Sequence, residues 1–286
     1  MRTRGLTRLV GAVLAAGALL VGAVGCATTP APPVGVVQQP LPEVAADPAL
    51  VALLPATLQG GTLRVAVPGV AGPASGPEQE LGAALAARLG LRALPDGVSA
   101  TALPRALVGG RHDIGILPVP VAQAPPGGSV LPWLAARTAI VTPPGNPDRV
   151  EPTTLCGHRI GVVAGSAQHA AVTEDNLHCA DNRRPEIEIV PVGGAEDATR
   201  RLLADRLEAF VADAPAAGHA VVLGQGKLAM PGTPYGEGTA GMIVENRATP
   251  AVRAALASLV ADGTYAAILD RWLLGDLAVD GAAVRS

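Results

Sequence analysis

Short apolar runs alternate with helical patterns along most of the chain. "TLRVAV" at 62 to 67 reads as a strand, and "PEQELGAALAARLG" at 77 to 90 as a helix with Leu81, Leu85 and Leu89 on one face. After a short helical segment, "DIGIL" (113 to 117) predicts the next strand. "ARTAIVT" (136 to 142), "RIGVV" (159 to 163), "EIEIV" (186 to 190) and "EAFVA" (208 to 212) continue the series. "EDATRRLLADR" reads as a helix between the last two, and "TAGMIV" (239 to 244) returns as a strand. "TPAVRAALASLVADGTYAAILDRWLL" supplies two closing helices. Strands spaced by helices in this way imply parallel sheets covered on both faces.

The first 25 residues break the pattern. Arg2, Arg4 and Arg8 make a cationic start, and residues 9 to 24, "LVGAVLAAGALLVGAV", carry no charge. That is the layout of a secretory signal, with an apolar core short for a membrane span. It closes on "AVGC", which resembles the lipobox of bacterial lipoproteins, with Ala23 where Leu is more usual. The resemblance implies cleavage before Cys26, lipid on that thiol, and a mature chain anchored to a membrane face without spanning it. Residues 26 to 60 are rich in Pro, Ala and Val and suit an extended tether. No second low-complexity break follows, so the folded body is one large domain or two small lobes.

Losing three arginines and no acid takes the formal charge from -3 to -6 in the mature chain. That balance argues against a nucleic-acid partner. The aromatics are Trp133, Phe210, Tyr235, Tyr265 and Trp272, so a binding site has few rings to stack on a ligand. Cys156 and Cys179 form an even pair outside the cytoplasm and are expected to be disulfide-bonded. His112, His158, His169, His178 and His219 show no paired ligand spacing, so no metal or other cofactor is implied.

In open sheets of this kind ligands gather at the carboxyl ends of strands, near helix N-termini. Ser166 and Asp213 both sit there and carry polar groups. Each also suits a helix N-cap, and the local pattern alone favours the cap. Catalytic patterns are weaker: "AGSAQ" lacks the second glycine of a nucleophile elbow, and "GQGKLA" at 224 to 229 follows a helical stretch, not a strand. An enzyme is not expected.

In order, "GTLRVAVPG", "GPEQELGAALAARLGL", "RALVGGRHDIGIL", "TLCGHRIGVVAGSAQ", "ATRRLLADRLEAFVADAPAAGHAV" and "VRAALASLVADGTYAAILDRWLL" resemble family 3 solute-binding proteins of ABC importers, the polar amino acid receptors. The resemblance covers about Gly61 to Leu274. It implies an α/β, two-lobed periplasmic-binding-protein-like fold of type II, each lobe a mostly parallel sheet flanked by helices, with a two-strand hinge. Lobe one would be 61–138 plus 240–277, lobe two 139–239, and 278–286 a C-terminal tail. A ligand between the lobes would favour the closed form, which an ABC permease or a membrane signalling protein would recognise. A monomer is expected.

By the same likeness, Ser166, in the Gly165–Ser166–Ala167 turn, would help hold a ligand carboxylate, and Asp213 in "VADAP" would take the ligand ammonium. Lobe one departs from the family. Its usual Thr-Pro-Glu-Arg step is replaced by "PVPVAQAPPGGS", which has no Arg, and the loop before Glu78 lacks its aromatic, with Pro77 where Phe is common. A planar guanidinium gripping a carboxylate is not replaced by Val, Pro or Gln.

Overall fold

The structure is a computed structural model that describes residues 40–68, 76–98, 102, 105, 110–120 and 124–281. The signal segment, Cys26 and the first half of the expected tether lie outside the described residues. In chain order the elements are α1 (Pro48–Val51), β1 (Thr62–Pro68), α2 (Pro77–Arg88), β2 (Arg92–Val98), β3 (Ile114–Pro120), β4 (Gly128–Ala135), β5 (Thr138–Val141) and β6 (Arg159–Val163). Then follow α3 (Ala167–Asp181), β7 (Glu188–Val192), α4 (Ala195–Leu202), β8 (Ala209–Asp213), α5 (Ala214–Leu223), β9 (Thr239–Glu245), α6 (Thr249–Ala261) and α7 (Thr264–Arg271).

The strands form two sheets, ordered β2-β1-β3-β9-β4 and β5-β8-β6-β7. The second is mostly parallel, as expected: β6 pairs parallel with β7 and β8, and only β5 runs against β8. The first is evenly mixed, which corrects the expectation for lobe one. Parallel β1–β2 and β1–β3 pairings stand beside antiparallel β3–β9 and β4–β9 pairings. The reason is the hinge: β4 leaves the first sheet for the second and β9 returns, so the two run in opposite directions side by side. The crossings hold each other, Ala136 N–H donating to the Gly238 carbonyl at 3.0 Å and Thr138 N–H to the Tyr235 carbonyl at 2.8 Å.

Two strands escape the sequence pattern, and both are sheet edges. β2 reads "RALPDGV" and β4 "GSVLPWLA"; Pro95 and Pro132 are tolerated because an edge strand has a side with no ladder to feed. β7 begins at Glu188, two residues later than the "EIEIV" run suggests. Residues 40 to 60 are less of a tether than their composition implies. Leu41, Val44, Leu50, Val51 and Leu58 pack on the main core and Leu54 is buried in it, because these apolar side chains gain more by burial than a spacer would by staying extended. At the other end, Ala278 bridges to Leu134 and Val279 N–H donates to the Tyr265 hydroxyl at 3.1 Å, so the body continues past Leu277.

β8 shows how the second sheet is buried on both faces. Phe210 and Ala212 enter one core, Ala209 and Val211 the other, as the two-residue period of a strand requires. The smaller core includes Ile160, Val162, Val172 and Cys179, beside the Cys156–Cys179 disulfide, whose Cα atoms are 5.7 Å apart. The larger core runs through both sheets' elements, from Leu85, Trp133 and Met242 to Phe210, Ala217 and Val221.

The close approach at this seam is made by α5, "APAAGHAVVL", whose small side chains bring its backbone near α7. A Cβ on Gly218 would stand 2.1 Å from the Trp272 carbonyl oxygen, so only glycine fits there. The next residue, His219, meets the Trp272 ring edge-on, with centroids 5.2 Å apart.

Candidate functional site

Ser166 ends a turn that starts when β6 stops. Gly165 takes a φ of 74°, a left-handed value that glycine adopts without strain, and the chain re-enters as α3. Ser166 Oγ accepts from the His169 N–H at 3.0 Å, the N-cap that its local pattern predicts. Gly165 N–H in turn donates to His169 Nδ1 at 3.1 Å, while Gly165 and Ala167 remain exposed.

Asp213 stands at the end of the neighbouring parallel strand, β8, and caps α5: its Oδ1 accepts from the Ala216 N–H at 2.9 Å. Both predicted residues are therefore caps. Capping leaves each with oxygen lone pairs for a further partner.

Two residues that sequence reasoning missed connect them. Thr138, the first residue of β5, lies opposite Asp213 in the ladder, and the buried Gln168 on the first turn of α3 donates from Nε2 to Thr138 Oγ1 at 3.2 Å. Ser166, Gln168, Thr138 and Asp213 thus form one polar strip across the carboxyl ends of β6 and β8. Beside it, the Arg137 carbonyl accepts from the Ala214 N–H at 2.9 Å. The Arg137 side chain, the nearest arginine downstream of the altered step, donates to the Ala136 and Gly238 carbonyls at 2.8 and 3.2 Å and so braces the hinge.

A third missed residue lies on the first sheet's side, next to α5. Glu78, on the first turn of α2, is only 8% exposed. A Cβ built on Gly76 would lie 3.2 Å from Glu78 Oε2 and 3.6 Å from His219 Nδ1, which places the Glu78 carboxyl next to α5. Burial, and after it the charge of Asp213, pushes the Glu78 carboxyl up to about 8. Burial likewise raises Asp213 to about 6, against the hydrogen bond from Ala216 that lowers it. The repulsion falls on Glu78, because Asp213 ionises first. Burial lowers the His219 imidazole, so a neutral ring stands beside Glu78.

Sequence gave a weak signal for Glu78: an acid in a first helical turn normally marks favourable contact with the helix dipole at an exposed end. Its burial comes from α5, which is distant in sequence. The two loops of the first sheet that the resemblance places over a ligand fall partly on residues 69–75 and 121–123, outside the described residues. Among the described residues no group of three or more His, Cys, Asp and Glu could hold a metal ion.

A separate cavity of about 180 Å³ lies at the outer edge of β5, lined by residues including Ile140, Asn146, Glu151 and Tyr235. It shares no residue with the strip. Its lining carries Asn146, Glu151, Thr233 and Tyr235 but lies along the edge of β5 and not at the carboxyl ends of parallel strands, where ligands gather in sheets of this kind, so the strip is the better candidate.

Two α/β sheets joined by two adjacent crossings, with polar groups at strand ends and helix N-termini between them, define a type II periplasmic-binding-protein-like fold. Solved structures agree. An ancestral arginine-binding protein bound to arginine superposes with a TM-score of 0.57 at 23% identity, covering 75% of this chain and 99% of that one. The P235GK mutant of ArgBP from T. maritima gives 0.56 at 20% identity, covering 74% and 95%. A histidine kinase sensor domain with similarity to periplasmic binding proteins gives 0.54 at 18% identity, covering 77% and 98%. No protein-family model and no curated protein matches the sequence.

Proposed function

We propose that the protein is an extracytoplasmic solute-binding receptor of an ABC importer, held to the cell membrane by lipid on Cys26, and not an enzyme. Its ligand is a small polar solute bearing an amine, bound between the two lobes. Asp213 pairs with the amine, and Ser166 in the Gly165–Ala167 turn supplies the neighbouring hydrogen bonds. The observation that carries the reading is the polar strip from Ser166 through Gln168 and Thr138 to Asp213, on a fold whose solved neighbours include arginine-binding proteins and a putative amino acid ABC transporter's substrate-binding domain from Streptococcus pneumoniae.

The test is thermal stabilisation by a panel of amino acids and amines. Asp213→Asn keeps the helix cap and removes the charge, and is expected to abolish whatever stabilisation the parent chain shows. Unchanged stabilisation refutes the role of Asp213.

A second reading is favoured by two specific observations. The chain has no Arg in residues 115–128, and the seam between α5 and Trp272 is tight. Both fit a binding-protein-like sensor or docking module that biases a membrane signalling partner without feeding transport, and a kinase sensor domain is among the solved neighbours. Binding of a common amino acid at micromolar strength or better, roughly 8 kcal/mol, counts against it.

A further inference from the structure

The cavity beside β5 has no role in the reading above, and one of its walls is a backbone that the fold leaves half paired. β5 is an edge of its sheet, with β8 on one side only. The segment from Ala229 to Tyr235 runs antiparallel along the other side and meets β5 at both ends. Thr138 and Tyr235 exchange two backbone hydrogen bonds at 2.8 and 2.9 Å, and Thr142 and Ala229 exchange two at 3.0 and 2.9 Å. Between these bridges β5 runs through residues 139–141 while the facing segment runs through 230–234, so the longer side arches away. The cavity, of about 180 Å³, lies between that arch and the Ala139–Ile140 stretch of β5.

Thr138 and Thr142 both turn their N–H and carbonyl toward the arch, and Ile140, two residues from each, turns the same way. The Arg137 carbonyl, one residue out of step, faces β8 instead and accepts from the Ala214 N–H. Nothing on the arch answers Ile140. Among the described residues no hydrogen bond reaches its N–H or its carbonyl from that side, and Pro231 and Pro234 have no N–H to offer. Ile140 is only 4% exposed. A buried donor and acceptor without partners are costly, and folded chains almost always pair them.

We infer that this cavity is a second binding site, which takes one residue of an extended peptide as an added rung of the second sheet. A residue of an antiparallel neighbour exchanges both hydrogen bonds with the residue opposite, so an N–H and a carbonyl carried by one residue complement Ile140. Carboxylates offer only acceptors and ammonium groups only donors, so neither serves both groups. The volume agrees. About 180 Å³ is far above the roughly 10–15 Å³ that one water needs, and below the roughly 300–1,000 Å³ of pockets for drug-sized ligands. Val150, Met230, Pro231 and Pro234 give apolar walls that suit a small aliphatic side chain. Asn146 is held back from the cavity's polar chemistry, because its side chain closes a loop with the Val150 N–H and carbonyl, both at 3.0 Å. Glu151, Gly232 and Thr233 are exposed, which leaves the rim open to solvent. The lining shares no residue with the strip from Ser166 to Asp213, so this site stands independently of the receptor reading.

Nuclear magnetic resonance of the full chain with isotope-labelled isoleucine tests this, the Ile140 amide being assigned by its loss in Ile140→Val. One probe is N-acetyl-L-alanine N-methylamide, which carries the required pair. The other is O-acetyl-L-lactic acid N-methylamide, in which an ester oxygen replaces the residue's N–H. The first is expected to move the Ile140 amide resonance saturably at millimolar concentration and to slow its hydrogen exchange at least tenfold, and the ester to bind at least tenfold more weakly. An Ile140 amide that stays unmoved overturns the inference, and so does a shift confined to other isoleucines. Equal binding of the two probes also overturns it, because the cavity then takes an adventitious additive only.

Discussion

Glu78→Gln keeps the shape of the side chain and removes its titration, and its effect on stability needs no ligand. Burial against α5 raises the Glu78 carboxyl from an ordinary 4.5 to about 8. The native state thus holds a proton that the unfolded chain gives up. The stability contribution of such a group is fully present below pH 4.5 and is lost as pH rises toward 8. At about 1.4 kcal/mol per pH unit, weighted by the ionised fractions, the parent loses about 3 kcal/mol between pH 5 and pH 8 from this one group. Asp213 titrates lower, from an ordinary 3.8 to about 6, so the window from pH 6 to 8 belongs mainly to Glu78. Urea unfolding followed by far-UV circular dichroism at pH 5, 6.5 and 8 measures this. The parent and the variant should have similar free energies of unfolding at pH 5 and separate by pH 8, with Glu78→Gln the more stable. Parallel pH profiles for the two proteins refute the burial argument.

Other perturbations act through separate features. Removing the Cys156–Cys179 bridge by double substitution with Ala should cost about 3 kcal/mol, since it closes a loop with a sequence separation of 23; unfolding under oxidising conditions measures it. Gly218→Ala places a methyl against the Trp272 carbonyl and should lower the urea midpoint by an amount equivalent to about 1–3 kcal/mol, with Ala217→Gly as a control for helix propensity. Ser166→Ala should lose about 1 kcal/mol of cap energy in the ligand-free protein, while a larger additional loss in ligand-induced stabilisation separates the binding role from the cap.

The strands buried on both faces were legible from sequence because continuous apolar runs such as "RIGVV" have few alternatives, and β6 is found at Arg159–Val163 as predicted. β2 and β4 were not, because Pro95, Asp96, Gly97 and Pro132 are turn signals everywhere except at a sheet edge, and being an edge is a property of the assembled sheet. Ser166 and Asp213 were legible because each follows a strand and opens a helix. Gln168 and Thr138 were not, for their hydrogen bond spans 30 residues. The same limit hid Glu78. Nothing in "GPEQELG" says that its first acid, Glu78, is exposed to solvent only through an 8% window while Glu80 is tied to Trp272 and Arg271.

The composition of α5 ties these points together. A helix made of Ala, Gly, Val and one His has little side-chain bulk on the seam, so its axis can lie close to the Trp272 backbone. That position is set by the tight contact at Gly218, and the N-terminus of a rigid helix moves with its middle. Asp213 caps that N-terminus by accepting from the Ala216 N–H, so its carboxylate is placed by that hydrogen bond and by packing five residues away. Glu78 is fixed just as firmly by α2, whose Leu81 and Leu85 are fully buried in the first sheet's core. Each acid is thereby held in place by apolar packing. The repulsion between the two charges is relieved by the proton that burial leaves on Glu78.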